Sequence, residues 1–269
     1  MTDEDGAALL PLMTRVAQEA GALLRARFET AKSLPRTEKT AGDFVTAADL
    51  EAEALIRARL CDAHPALGWL GEESGAAGDP EGPRWIVDPL DGTTNFLHGL
   101  PHWAVSIALA QGERVIAGVI HDPCKAETFT AARGAGATLN AAPLCVSRGG
   151  TLAHALLATG VPAGGRVTYL PDAMRDIEAL MPDCAGIRRW GAAALDLAYV
   201  AAGRIDAYWE RNLGPWDVAA GIVLVTEAGG EVRPLWHGRG GLASGSLLAT
   251  NADLGPVLAP RLCGAGPEA

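Results

Sequence analysis

Residues 85–96, WIVDPLDGTTNF, bring two carboxylates, a turn-forming proline and a set of helix-opening residues into one short stretch. Trp85, Ile86 and Val87 form an apolar β-type run, and Asp88 stands where such a strand would leave its sheet. Pro89 removes a donor and biases Asp88 away from the helical region, so the chain must turn. Asp91 with Gly92, Thr93 and Thr94 then reads as a turn that opens a short helix. The first amides of a helix have no partner within it and receive anions readily. The chemistry this equipment suits is a metal ion held beside a phosphate.

Two further acids stand at element ends: Glu72 after a short strand and Asp217 in the first turn of a helix. Taken singly, an acid at such a place is ordinarily a cap or a surface residue, so the combination carries the inference. Four converging carboxylates would repel one another unless a divalent cation lay between them. An all-oxygen ligand set favours Mg²⁺ over zinc or copper, with the Leu90 carbonyl and the Thr93 hydroxyl as further candidate ligands. The GxxxxGK[ST] loop of nucleotide-triphosphate enzymes does not occur, which excludes that class.

The elements that must position these groups can be read from apolar spacing. A helix is predicted over 7–28, followed by a polar connection containing Pro35 and Gly42 that reads as a mobile loop. A second helix over 47–61 carries Asp49 in its first turn, a short strand over 68–70 leads to Glu72, and 76–83 reads as a surface loop. Beyond the opening stretch the pattern predicts a hairpin of 103–110 with 115–121 and short strands over 127–131 and 144–147. From residue 152 the elements alternate: strand 155–159, helix 171–181, strand 186–189, helix 192–202, strand 205–209, and a nearly all-apolar helix 215–228 closed by Gly229 and Gly230. Helices and strands in both halves imply a mixed α/β fold in layers. With no internal repeat or composition shift, the reading is one unit with two lobes, 1–150 and 151–269.

At 269 residues, with 49% apolar and 20% charged, the chain can bury a large core and does not belong to the disordered or fibrous classes. Its net charge of −10 argues against binding to nucleic acid or to an anionic membrane. The five cysteines, Cys61, Cys124, Cys145, Cys184 and Cys263, are odd in number and scattered, which suits thiols in a reducing cytoplasm. The N-terminal run lacks a basic start and a small-residue cleavage site, so no secretory signal is predicted. The longest apolar runs, 103–110 and 218–225, are too short to span a bilayer.

Four motifs, DFVTAAD (43–49), GEES (71–74), DPLDGTTNF (88–96) and WDVAAG (216–221), together resemble the inositol monophosphatase family, the lithium-sensitive Mg²⁺-dependent phosphatases, over almost the whole chain. The resemblance implies a layered αβαβα fold, a homodimer and hydrolysis without a phosphoenzyme. By motif position, Glu72, Asp88, Asp91 and Asp217 resemble the carboxylate metal ligands, with the Leu90 carbonyl and Thr93 completing the shell. Asp49 resembles the acid that works with Thr93 to orient and deprotonate the attacking water, and Glu72 shares that catalytic end of the site. The amides of Gly92, Thr93 and Thr94 would hold the phosphate, with Asp217 also against the substrate. Physically this is metal-assisted in-line hydrolysis.

Glu210 matches the position where these phosphatases place an acid against a ring hydroxyl, and Gly191 to Ala193 match a backbone segment beside the sugar. A carboxylate there favours a phosphorylated polyol or amino alcohol over a nucleotide or bisphosphate, because it repels further negative charge. Inositol monophosphate is the expected substrate, with histidinol phosphate as the rival. A haloacid-dehalogenase-type phosphatase separates its two aspartates by one residue, whereas two separate Asp88 from Asp91. Two departures from the family pattern stand out: the stretch 37–42, with Glu38 and Lys39, does not match the family's lysine-containing segment, and Asn140 is followed by Ala141 rather than glycine. The reading from a different class is a partner of transcription complexes that keeps the fold.

Overall fold

The computed structural model describes residues 1–29, 36–40, 43–161, 168–235 and 241–262. In chain order the elements are α1 (Asp3–Phe28), β1 (Arg36–Thr40), β2 (Asp43–Thr46), α2 (Ala47–Ala63), β3 (Gly68–Gly71), β4 (Gly75–Ala77), β5 (Pro83–Asp91), α3 (Thr93–His98), β6 (Ala104–Gln111), β7 (Arg114–Asp122), β8 (Glu127–Ala132), β9 (Gly136–Leu139) and β10 (Ala142–Pro143). They continue with β11 (Leu156–Thr159), α4 (Leu170–Leu180), β12 (Gly186–Arg188), α5 (Ala193–Ala201), β13 (Ala207–Glu210), α6 (Pro215–Glu227), β14 (Glu231–Pro234), α7 (Gly241–Ser244), β15 (Leu247–Thr250) and α8 (Gly255–Leu262).

One mixed sheet runs β10-β9-β8-β7-β6-β5-β3-β4, and a second runs β12-β11-β13-β15-β14. Side chains alternate across each strand, so each sheet feeds two cores. On one face of the first sheet, Val105, Ile107 and Leu109 pack with Met13, Val16 and Leu24 of α1 and Ile56 and Leu60 of α2. On its other face Ala104, Ala108 and Ala110 join a core with α5, α6 and the inner face of the second sheet, including Tyr208, Leu247 and Ala249. The outer face of that second sheet presents Ala207, Trp209 and Leu248 to Leu180 at the end of α4 and to Leu258 and Leu262 of α8. The layers are therefore αβαβα, and the all-apolar run of α6 follows from its place between two sheets.

Helix and strand assignments follow the predicted ones closely, with differences that have local causes. α1 begins at Asp3 rather than residue 7, because Thr2 and Asp5 form a reciprocal capping box and three acids occupy the first turn. The connection expected as a loop contains the antiparallel pair β1–β2, with Thr37 opposite Val45 and Glu38 opposite Phe44; charged residues interspersed with β-formers obscured the alternation. Pro35 and Gly42 themselves lie outside the described residues. Part of the surface loop at 76–83 pairs as β4 against β3.

No strand forms over 144–147 among the described residues. The Leu144 amide donates to Ala137 and the Val146 amide to Ala228, so that segment divides its bonds between two elements instead of joining a ladder. The hairpin forms earlier, β9 with β10, around Asn140 and Ala141 at φ 48° and 69°. Both central residues lie in the left-handed region, as a two-residue hairpin turn demands, and Ala141 adopts it where glycine would be cheaper.

Candidate active site

The sequence spacing of Asp88 and Asp91 acquires its meaning from the register of β5. Asp88 does not end the strand: β5 runs on to Asp91, pairing Asp88 with Ser106 and Asp91 with Ala104 on β6, with an irregularity between them. Three steps along β5 thus match two along β6, which is a one-residue bulge. In an unbroken strand, residues three apart face opposite sides; the bulge at Pro89 and Leu90 restores both aspartates to one face. Pro89, lacking an N–H, costs no ladder bond at such a place. The Leu90 amide, turned inward, donates to Asp88 Oδ1 at 2.9 Å.

Asp217 reaches the same point from α6. Its Oδ2 accepts the Gly214 amide at 2.6 Å, capping the helix and fixing the side chain over the first turn. Asp91 Oδ2 accepts the Ala194 amide at 2.8 Å, which ties β5 to the start of α5. Carboxylate oxygens of Asp88, Asp91 and Asp217 all lie within 4.8 Å of one another. Glu72 follows β3, held beside β5 by its amide donating to Val87 at 3.1 Å. It stands outside the tight group of three but close enough to raise the proton affinity of Asp88, Asp91, Asp217 and Asp49.

Thr93 and Asp49 form a second constellation against the first. The Thr93 hydroxyl lies 3.1 Å from the Leu90 carbonyl and 3.2 Å from Asp49 Oδ1. Its single proton serves one of these acceptors at a time. Asp49 is fully buried at the start of α2, where its Oδ2 accepts both the Thr46 hydroxyl at 2.5 Å and the Thr46 amide at 3.0 Å. Gly92 caps α3 at φ 91°, and a Cβ there would approach the His102 carbonyl to 3.0 Å. That backbone turn opens α3, whose first residue Thr93 meets Asp49, while Thr94 beside it is exposed.

Gly191 and Ala193 lie where the chain enters α5, and Glu210 ends β13. The side chains of Glu38 and Lys39 lie outside the described residues. A cleft of about 410 Å³ lined by Arg57, Cys61 and Trp69 shares no residue with this constellation. Charge density, not cavity size, marks the site.

Several supporting residues escaped the sequence reading. Thr46 was legible as the start of a T-x-x-D capping box with Asp49. Asn95 donates to the His102 and Trp190 carbonyls, both at 2.8 Å, tying α3 to the segment before α5. Buried Glu53 accepts the Glu73 amide at 2.9 Å and steadies the turn that carries Glu72. Asp196 of α5 is buried with no hydrogen-bond partner at Oδ1, and burial pushes its carboxyl well above the usual range. Only tertiary packing reveals these last three.

Burial, followed by mutual repulsion, pushes Asp88 and Asp217 well above the ordinary carboxylate range. Burial likewise lifts Asp91 to about 7, although the Ala194 amide pulls the other way. Asp49 is raised by burial against the two bonds from Thr46. Clustered acids with raised proton affinity are what a divalent cation would relieve, so the residues present fit such an ion. A raised folded-state value stabilises the fold fully below the unfolded value of 3.8 and loses that stability as pH rises through about 7. Chelator-treated protein should therefore lose melting temperature between those limits, and Mg²⁺ should restore more of it at pH 8 than at pH 5. A metal-free melting temperature flat across this window would contradict the assignment.

Residues 7–266 match the sequence model of the inositol monophosphatase family. An inositol-1-monophosphatase from Mesorhizobium japonicum is 45% identical, the alignment covering 91% of this chain and 92% of that protein. The Nus factor SuhB of Pseudomonas aeruginosa is 44% identical, over 90% of this chain and 91% of its own length. Among solved structures, the extragenic suppressor protein suhB from Bartonella henselae superposes with a TM-score of 0.90 at 42% identity, covering 95% of this chain and 98% of that one.

Proposed function

The chain belongs to the inositol monophosphatase family and is a phosphoric monoester hydrolase; from that premise we propose that it is a Mg²⁺-dependent enzyme that hydrolyses inositol monophosphate. The observation that carries the reading is the meeting of three carboxylates within 4.8 Å beside the Asp49–Thr93 pair. Glu72, Asp88, Asp91, Asp217, the Leu90 carbonyl and the Thr93 hydroxyl would hold the ion. Such an ion would supply charge neutralisation at the phosphate oxygens and leaving alkoxide and would acidify a neighbouring water. Lithium is the expected inhibitor.

The chain's own groups do the rest. The amides of Gly92, Thr93 and Thr94 orient the phosphate at the start of α3. Asp49, with Oδ2 fixed by Thr46, offers Oδ1 to Thr93, and this pair accepts the proton of the attacking water. Gly191 and Ala193 line the sugar side, and Glu210 accepts from a ring hydroxyl. Because water is the nucleophile, no side chain is phosphorylated. A homodimer and a cytoplasmic setting accompany the reading; among the described residues, no helix is long and apolar enough to cross a membrane.

Histidinol phosphate is the rival substrate, since Glu210 would also receive an ammonium. Specific activities on inositol 1-phosphate, histidinol phosphate, fructose 1,6-bisphosphate and 3′-phosphoadenosine 5′-phosphate discriminate these readings. Inositol 1-phosphate should be preferred, and Glu210→Gln should lower kcat/KM for it by roughly 10- to 100-fold, the range expected for a hydrogen bond to a charged group. A preference for either of the last two compounds would overturn the role of Glu210. The relative named Nus factor SuhB supports a second role as a protein partner in transcription complexes. Wild-type inactivity on a broad phosphate panel would leave that role as the reading to pursue.

A further inference from the structure

Glu210 does not reach the site as an unsupported strand-end carboxylate. Tyr208 and Glu210 are two apart on β13 and therefore share its face towards α5 and α6. Tyr208 is fully buried, and its hydroxyl donates to Glu210 Oε2 at 2.5 Å. Burial, together with the Glu210 charge, pushes the Tyr208 hydroxyl well above its ordinary value, so it remains a donor at neutral pH. On the adjacent strand β11, the Thr159 hydroxyl donates to the Trp209 carbonyl at 2.7 Å, locking the two strand ends together. The next residue is Gly160, where a Cβ would fall 1.8 Å from the Glu210 carboxyl carbon. The carboxylate occupies the volume that any other residue at 160 would fill.

The surroundings give this arrangement a purpose. Glu210 raises the proton affinity of Asp91, Asp196 and Asp217, so it is held among like charges. We propose that Tyr208 and Gly160 are positioning residues that hold the Glu210 carboxylate against the substrate's ring hydroxyl and so set the preference for hydroxylated rings. The inference rests on the reading of Glu210 as the substrate-contacting acid. Fixing the glutamate before substrate arrives removes the rotamer loss that binding would otherwise incur.

The test compares inositol 1-phosphate with p-nitrophenyl phosphate, whose ring carries no hydroxyl, in wild type, Tyr208→Phe, Gly160→Ala, Glu210→Ala and the Tyr208→Phe/Glu210→Ala double variant. Tyr208→Phe should raise KM for inositol 1-phosphate about tenfold, the scale of one charge-assisted bond, with kcat nearly unchanged. Its turnover of p-nitrophenyl phosphate should be unaltered, which also reports that the variant is folded. Gly160→Ala should act in the same direction, and Tyr208→Phe should have no further effect once Glu210 is alanine. If Glu210→Ala impairs inositol 1-phosphate while Tyr208→Phe is silent or acts equally in both backgrounds, the positioning role is wrong and the reading of Glu210 stands. If Glu210→Ala leaves inositol 1-phosphate untouched, the reading of Glu210 fails, and this inference with it.

Discussion

Asp91→Asn should lower kcat/KM for a phosphomonoester by about 10³- to 10⁴-fold while leaving the metal-free chain at least as stable as wild type. The two halves of this expectation come from one geometry. Asp91 is one of three acids whose oxygens lie within 4.8 Å, and burial already lifts its own carboxyl to about 7. Asparagine keeps an oxygen for the Ala194 amide but removes a charge from the repelling group. Without an ion the substitution relieves repulsion; with one it removes a ligand. Metal stabilisation of transition-state charge is worth several kcal/mol, and each 1.36 kcal/mol is tenfold in rate, which sets the size of the loss. The rise in melting temperature on adding Mg²⁺ should shrink or vanish in the variant. An unchanged Mg²⁺ shift would show that Asp91 holds no ion.

Asp49→Asn should reduce kcat by roughly 10²- to 10⁴-fold, the usual worth of a positioned general base, and keep the Mg²⁺-dependent shift in melting temperature. Oδ2 of Asp49 is committed to the Thr46 amide and hydroxyl, so only Oδ1 faces Thr93. An asparagine must leave its oxygen with Thr46, since the amide N–H cannot receive another. Its NH₂ then points at Thr93 and reverses the polarity of that bond. The Thr93 hydroxyl could no longer pass a proton to the residue behind it. Loss of the Mg²⁺ shift together with activity would make Asp49 a ligand or a structural cap instead, and an unaffected kcat would remove it from proton transfer.

How far the sequence carried the fold depended on the length and isolation of each signal. The long amphipathic α1 and the nearly all-apolar α6 were legible because one pattern persists over several turns. The pair β1–β2 was not, because its alternation is short and interrupted by charge. The strand expected over 144–147 was a misreading of an apolar run whose backbone bonds go to two different elements.

At the site, the convergence of Asp88, Asp91 and Asp217 was legible, but the device that unites the first two was not. The proline suggested a turn that ends the strand, whereas it marks a bulge within β5, visible only against the register of β6. Thr46 lay in a readable capping pattern. The partners of Asn95 and Gly160 come from other elements and show in no local pattern, and the bond from Tyr208 to its strand neighbour Glu210 depends on the burial of that face.

The central claim is that this carboxylate group binds a divalent cation for phosphoester hydrolysis, and the most direct measurement is release of inorganic phosphate from inositol 1-phosphate by chelator-stripped protein as Mg²⁺ is titrated back. The account predicts no release in the chelated state and a saturable return of activity with Mg²⁺ that Asp91→Asn fails to show. Hydrolysis independent of added metal, or equal return in the variant, would contradict it.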